Sequence, residues 1–345
     1  YRKRTRRKAD ITHSETIGVV GSGPAGLTVA HDCIKQGYAV TVYEALPKPG
    51  GLLSCGIPKY RLPDDILQQD LDDIVALGVD VRAGVAVGKD IGLQDLRQKH
   101  GAVVLAVGLS EGRDLPLEGR DHPDVLVGTP FLRDVALGRP VEVREHVVVI
   151  GGGNVAVDVA RTAMRLGART VKMVCLENEE EIPAWDWECR EALEEGIEFV
   201  YRRGPTKVVV EDGRITGIVV REVERVFDEE GNFAPTYFDE RLSTVPGRMV
   251  IITIGQASNL DLVQGSGVEL TQRGLLVFDP ATMATSQKGV YSCGEVVTGP
   301  GSAIEAVASG HRAAQAVLGY LETGQVRPVA EQEVEEVEEL PEDVI

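Results

Sequence analysis

Apolar and polar positions along the chain follow a pattern that occurs twice. The run Ile17–Val20 is continuously apolar and short enough for one strand buried on both faces. Glycines follow, and from about Pro24 to Gln36 the apolar positions recur at helical spacing. A second apolar strand, Ala39–Tyr43, ends at the acid Glu44. The succession returns downstream: Val147–Ile150, then glycines, then a periodic stretch from about Val155 to Leu166, then a strand Val171–Leu176 ending at Glu177. Each segment predicts a βαβ unit, so the chain carries an internal duplication.

Between Gly204 and Ile254 the pattern turns to strands. Lys207–Val210 and Ile215–Val223 flank Glu211-Asp212-Gly213 and predict a hairpin with an Asp-Gly turn. A second turn falls at Asp228–Asn232, followed by an apolar strand Met249–Ile254, another at Val290–Ser292 and a closing helix Ala303–Leu321. The order predicts an α/β protein with two Rossmann-like dinucleotide-binding domains, the second inserted into the first. The expected divisions are a basic arm 1–14, a first domain of 15–125 and 258–327, an inserted domain 126–257, and an acidic tail 328–345.

Composition narrows this picture. The 345 residues are 43% hydrophobic with 39 glycines, which suits large cores and many tight strand-to-helix turns. Net charge is −18, unevenly spread: Arg2, Lys3, Arg4, Arg6, Arg7 and Lys8 are basic, whereas Glu331 to Asp343 holds acids and no base. An acidic body argues against nucleic acid as a partner. Both tails are expected to be solvated chain, or else docking segments for a partner. No apolar run reaches the roughly 18 residues of a membrane span, and no signal peptide precedes the first strand. The chain starts at Tyr1, which points to processing or to a longer polypeptide. Its five cysteines form no CxxC pair and no cluster-like spacing, which predicts a reducing compartment, the cytoplasm.

Gly21-Ser22-Gly23-Pro24-Ala25-Gly26 is a GxGxxG placed between strand and helix. The first glycine allows a tight turn, the second a close approach of backbone to a pyrophosphate, and the third close packing of helix on strand. Glu44 follows at a strand end, where a carboxylate can accept ribose hydroxyls. The plainer alternative is a glycine turn used for packing. Gly151-Gly152-Gly153-Asn154-Val155-Ala156 repeats the motif as GxGxxA, with Glu177 in the place of Glu44. A carboxylate there accepts the two hydroxyls of NAD(H) and repels the 2′-phosphate of NADP(H). The neighbouring Asn178-Glu179-Glu180-Glu181 holds no base, so NAD(H) is expected over NADP(H). Glu177 as a solvated loop acid, with Arg161, Arg202 or Arg203 reaching a phosphate, is the competing possibility.

Further motifs carry a family resemblance. Pro49-Gly50-Gly51-Leu52-Leu53, Ile57-Pro58-Lys59-Tyr60-Arg61-Leu62-Pro63, Gly289-Val290-Tyr291-Ser292-Cys293-Gly294-Glu295 and the run from Gly151 to Ala168 resemble the FAD-dependent small subunit of glutamate synthase and its relatives, including the flavin domain of dihydropyrimidine dehydrogenase. The resemblance spans about residues 15–325 and implies a glutathione-reductase-like two-domain flavoprotein with FAD in the first loop. It implies that Gly51, Leu52 and Leu53 lie along the isoalloxazine and that Arg61 sits near the cofactor. It makes Val104 to Gly108, with Ala106 and Gly108 at the cofactor, the strand that closes over FAD. Gly294 and Glu295 take the second FAD segment, where most relatives have Asp. Ser302 and Ala303 open a helix aimed at the flavin, which favours the anionic reduced ring; an ordinary core helix is the alternative. Gly255, in Ile254-Gly255-Gln256, resembles the family turn near the nicotinamide and the hinge, and Pro183-Ala184-Trp185 occupies a cofactor-loop position.

The resemblance implies hydride transfer between two bound cofactors, with no catalytic side chain and no metal required. Cys55, lone on the expected flavin face, reads as a packing residue, so a disulfide acceptor is not expected. The iron–sulfur module that relatives carry before the FAD domain is not in this chain. The expected role is therefore an NADH-oxidising or NAD-reducing subunit that exchanges electrons with iron–sulfur clusters of a partner subunit. A stand-alone NAD(P)H diaphorase, a glutamate synthase small subunit and a non-catalytic nucleotide-binding scaffold are the alternatives.

Overall fold

The apolar run after residue 15 becomes the middle strand of a parallel sheet because both of its faces are covered. In the computed structural model, which describes residues 7–329, Thr16–Val20 is buried at four of its five positions. The sheet runs Val290–Ser292, Ala102–Leu105, Thr16–Val20, Ala39–Glu44, Asp80–Ala83, with all neighbours parallel. The helix Pro24–Lys35 crosses one face and packs against the helix Ala303–Thr323. Gly310 allows that crossing, since a Cβ on it would come within 2.5 Å of the Ala25 carbonyl oxygen. Val29, Ile34, Val104, Ala313 and Val317 fill the core between them.

The inserted unit repeats the plan. Its parallel strands run Val125–Val127, Met249–Ile252, His146–Ile150, Thr170–Val174, Glu198–Val200, again with the glycine-loop strand central. The helix Asn154–Arg165 buries Ala156, Val157, Val159, Ala160 and Ala163 against it. On the opposite face lies an antiparallel sheet of Arg203–Glu211, Arg214–Phe227 and Phe233–Pro246, joined to the parallel sheet by Ile215, Ile218 and Val220 packing on Val148 and Ile252. Asp212 and Gly213 have φ of 49° and 71°, the left-handed pair that a two-residue hairpin turn requires.

The chain crosses between units at an antiparallel pair, Glu111–Gly112 with Gln256–Ala257. A division at 125/126 therefore cuts too late: Val125–Val127 is an edge strand of the inserted sheet, and Leu115 and Leu117 pack in that unit's core. No hydrophobic period marks this crossing, because two-residue strands carry none. The arm also differs from a solvated tail where it is described. Ala9 N–H donates to Leu77 O at 2.9 Å, Thr12 N–H to Gly37 O at 2.9 Å, and His13 stacks on Tyr38 with centroids 3.9 Å apart. Residues 1–6 and 330–345, most of the two charged tails, lie outside the described residues. Among the described residues no helix is long and apolar enough to cross a membrane, and no group of side chains is arranged to hold a metal ion.

Candidate active site

Both glycine loops sit at the carboxyl ends of their central strands and open onto one cavity of about 1450 Å³. That exceeds the roughly 300–1,000 Å³ of a site for one drug-sized ligand. The three glycines of the first loop serve different ends. Gly21 takes a φ of 101°, and a Cβ there would stand 2.3 Å from the Ala106 carbonyl oxygen. At Gly26 a Cβ would lie 2.1 Å from the Gly21 oxygen, so close packing of helix on strand demands glycine.

Gly23 has no such reason. Its φ of −68° and ψ of 177° suit any residue, and a Cβ would meet no protein atom within 4 Å. The second loop behaves alike. Gly151 needs its φ of 134° and its closeness to Thr253 O, 2.4 Å from a Cβ, while Gly153, at φ −88° and ψ 174°, would meet nothing within 4 Å. Gly23 and Gly153 both line the cavity, each at the start of a helix whose N-terminus carries no side-chain cap. The space kept open there adjoins free amide donors and the positive end of a helix, the conditions under which phosphate binds backbone. Pro24, Ala25, Asn154 and Val155 line the cavity beside them.

The remaining walls come from distant segments. Buried Glu44 buckles the first loop: its Oε2 accepts the Ser22 N–H at 3.0 Å and the Ser22 hydroxyl at 2.5 Å, and its Oε1 accepts the Leu46 N–H at 2.8 Å. Gly51, at φ 58°, packs so closely on the loop that a Cβ would come within 2.7 Å of Gly23 Cα, and it leads Leu52 and Leu53 into the cavity wall. Ala106 and Gly108 close the wall beyond their strand, with the Gly108 oxygen held by the Ser258 hydroxyl at 2.6 Å. Gly294 and Glu295 also line it; burial raises the pKa of Glu295, whose Oε1 accepts the Gly301 N–H at 3.2 Å. Ser302 and Ala303 bring the helix Ala303–Thr323 to the cavity, but Glu305 already caps it, accepting the Ser302 N–H at 2.6 Å. Gly255 lines the cavity at the crossing, where its oxygen accepts the Arg113 N–H at 2.9 Å.

Gly26, Gly151 and Glu177 do not line the cavity. The two glycines act on the loops from behind. Glu177 lies at the loop's flank, with its Oε2 3.0 Å from where a Gly152 Cβ would be. Burial raises its pKa and Glu181 adds to the rise, while Arg202 opposes it. Arg202 itself is paired with Glu181 at 3.0 Å and leaves its Nη1 buried without a partner. The Pro183-Ala184-Trp185 segment folds over the loop: Ala184 N–H donates to Gly152 O at 3.1 Å, and Trp185 N–H to the Asn154 side chain at 3.1 Å.

Arg61 lines the cavity, yet its guanidinium is spent on the other unit: Nε donates to Asp158 at 2.5 Å and Nη1 to Glu188 at 2.5 Å. Burial pushes Asp158 up to about 6, with Arg61 opposing. Tyr60, Arg133, Trp187 and Glu188 also line the cavity and were not selected from the sequence. They come from three separate segments, of which only that of Tyr60 carries a motif, so the fold alone gathers them. Cys55 is buried beside the cavity, and burial, with Glu44 adding, pushes its thiol up to about 11; it bonds the Gly51 oxygen as a packing residue does. All five cysteines are free.

The family model described as pyridine nucleotide-disulphide oxidoreductase matches residues 15–310, both glycine loops included. The chain belongs to this family. Within it the chain is 32% identical over 330 residues to the glutamate synthase [NADPH] small chain of Azospirillum brasilense, covering 91% of this chain and 68% of that protein. It is thus a member of the glutamate synthase small-chain-like oxidoreductases. It is also 38% identical over 329 residues to the NADP(+)-dependent formate dehydrogenase subunit beta of Moorella thermoacetica, covering 94% of this chain but 46% of that protein. The chain thus spans about half the length of such relatives. Among solved structures, Mycobacterium tuberculosis FprA in complex with NADPH superposes with a TM-score of 0.76 at 19% identity, over 90% of this chain and 86% of that one. The likeness shows a shared two-domain flavoprotein fold. The family makes the chain a flavoprotein oxidoreductase that uses a pyridine nucleotide.

Proposed function

We propose that the chain holds FAD at the first glycine loop and a nicotinamide dinucleotide at the second, and moves a hydride between them. The observation that carries this is the pair Gly23 and Gly153. Neither packing nor backbone conformation calls for glycine there, and both face one cavity at uncapped helix N-termini. Bound FAD would supply a ring that takes up a hydride and gives electrons on singly. The protein's part is to bind and orient: amides of the two loops hold phosphates, Glu44 fixes the first loop, and the Leu52–Leu53 wall excludes water.

NADH is the proposed nucleotide. Its support is the Glu177 carboxylate over Gly152, which suits ribose hydroxyls and opposes a phosphate. A second reading, NADPH, is favoured by the names of the relatives and by the unpartnered Nη1 of Arg202 near Glu177. The relatives' names, a formate dehydrogenase subunit and a synthase small chain, support an electron-transfer role within a larger complex. The onward acceptor is proposed to be an iron–sulfur cluster of a partner subunit.

Anaerobic titration of the FAD-reconstituted protein tests the reading. NADH should bleach the flavin absorbance at lower concentration than NADPH. Bleaching by NADPH alone would establish the second reading, and no bleaching by either would leave a nucleotide-binding scaffold. Copurification with an iron-containing protein, measured by metal analysis, tests the proposed partner; a chain that purifies alone and turns over a soluble quinone or dye would be a diaphorase.

A further inference from the structure

Arg61 belongs to the flavin-side unit, six residues beyond the helix Leu52–Cys55 whose preceding Gly51 packs on Gly23. Its guanidinium crosses into the inserted unit. There it donates to Asp158 and to Glu188, each at 2.5 Å, and lies over the Trp187 ring, 5.1 Å from its centroid. Tyr60 beside it donates its hydroxyl to the same Asp158 oxygen at 3.3 Å. The Tyr60 ring packs under the guanidiniums of Arg161 and Arg165, at 4.7 Å and 4.1 Å, and Glu195 holds both of those arginines in place. The central pair is well shielded, with side-chain exposures of 15% for Arg61, 13% for Asp158 and 6% for Glu188.

Burying an arginine against two acids is a poor way to hold two units together. Apolar residues of similar volume hold as well or better, because charges lose their hydration when buried. What ion pairs supply is direction. Two charge-assisted hydrogen bonds from one rigid fork, and a third from the adjacent hydroxyl, are met in one relative orientation only. Where that direction leads is the second point. Asp158 stands one helical turn beyond Asn154, on the helix that begins at the second glycine loop, while Arg61 is tied through Gly51 to the first. The cluster therefore links the two loops by a short, stiff path. It remains incompletely satisfied, with Arg61 Nη2 and Glu188 Oε2 buried and unpartnered, so it is kept for something other than stability.

We propose that Tyr60 and Arg61, gripping Asp158 and Glu188, form an interdomain clamp that sets the distance and orientation between the two dinucleotide sites. Arg61 is then a positioning residue for hydride transfer rather than a contact to the flavin. The proposal rests on the hydride-transfer reading given above.

The test uses the FAD-loaded chain with whatever subunit copurifies. Anaerobic rapid mixing with NADH, or with NADPH if that nucleotide is preferred, gives a limiting rate of flavin bleaching and an apparent Kd from one titration. Arg61→Gln should lower the limiting rate by roughly 10- to 100-fold, the scale of an ångström's misplacement of reacting groups. FAD content and the nucleotide's Kd should change by much less than the limiting rate, because the Arg61 guanidinium is spent on Asp158 and Glu188. Arg61→Lys should recover only part of the rate, since an ammonium cannot reproduce the fork. Asp158→Asn keeps the volume and serves if the Arg61 variant fails to fold. The double variant should be no slower than the worse single one, since both remove one contact.

A second readout needs no cofactor. Spin labels at exposed Gln69 and Glu211, one in each unit, should give a distance distribution that broadens in Arg61→Gln. A wild-type limiting rate with an unbroadened distribution would overturn the clamp. So would a faster rate, which would make the cluster an inhibitory lock. If the wild-type protein is not bleached by either nucleotide, the hydride-transfer reading fails, and the spin-label distances still decide whether the clamp exists.

Discussion

Replacing Gly23 by alanine should separate binding from folding. The φ of −68° and ψ of 177° are ordinary for alanine, and its methyl group would meet no protein atom within 4 Å. Two small terms then act on stability. Alanine is a poorer N-cap than glycine by up to about 1 kcal/mol, and a less flexible unfolded chain returns about 0.4–1 kcal/mol. They offset to within about 1 kcal/mol, so the apoprotein's Tm should move by no more than roughly 4 °C. Binding is another matter. The methyl group occupies the space through which phosphate approaches the loop amides, and each hydrogen bond to a charged group is worth about 1.5–3 kcal/mol. Losing one or two should weaken FAD binding by roughly 10- to 10,000-fold. The assays are thermal melts of the apoprotein and flavin fluorescence on titration with FAD. Gly26→Ala is the contrast: its Cβ would sit 2.1 Å from the Gly21 oxygen, so it should lower the apoprotein's Tm as well. A Gly23→Ala protein that bound FAD like the wild type would refute the argument, and so would one that failed to fold.

Glu177→Arg should raise the kcat/KM for NADPH relative to NADH by on the order of 100-fold through removal of like-charge contact; an unchanged ratio would remove Glu177 from the nucleotide site. Glu44→Ala strands two buried donors on Ser22, at about 1–3 kcal/mol each, and frees a half-buried one on Leu46, so it should destabilise the apoprotein in urea melts, not merely weaken FAD binding. Cys55→Ala should leave flavin reduction by the nucleotide and electron delivery to dyes within about threefold, because a buried thiol held up at about 11 supplies no thiolate at neutral pH; loss of dye reduction would give Cys55 a redox role. Buried His100 bonds Thr16 at 2.7 Å and Tyr43 at 3.0 Å, and burial, with Lys99 and Arg82 adding, pushes its pKa from 6.5 down to about 4. The unfolded chain takes up that proton first, so the stability from neutral His100 is full above 6.5 and is lost as pH falls from there towards 4, by about 2 kcal/mol. The difference in urea stability between the wild type and His100→Gln, followed from pH 7 to pH 4.5, should shrink accordingly; a constant difference would refute it.

Periodicity alone located the two βαβ units, because a strand buried on both faces must be an unbroken apolar run. The glycine loops and their following acids were legible for the same kind of reason: tight turns and close approaches leave glycine at fixed spacings. The Asp-Gly hairpin was legible because left-handed backbone at two successive positions restricts the residues that can hold it. What the sequence could not separate was the purpose of each glycine. Gly21 and Gly26 answer to protein atoms, whereas Gly23 and Gly153 answer to none, and that distinction exists only once neighbours are placed in space. The crossing at Glu111–Gly112 was invisible, since a two-residue strand has no period, and the docking of Ala9 and His13 depends on partners at Leu77 and Tyr38. Arg61 shows the limit most plainly. Its motif marked it as a site residue, but its partners lie 97 and 127 residues away on another unit, and an ion pair between distant segments leaves no local pattern. Local order was written in the spacing of side chains; the meeting of the two units was decided by packing and charge that only the tertiary structure brings together.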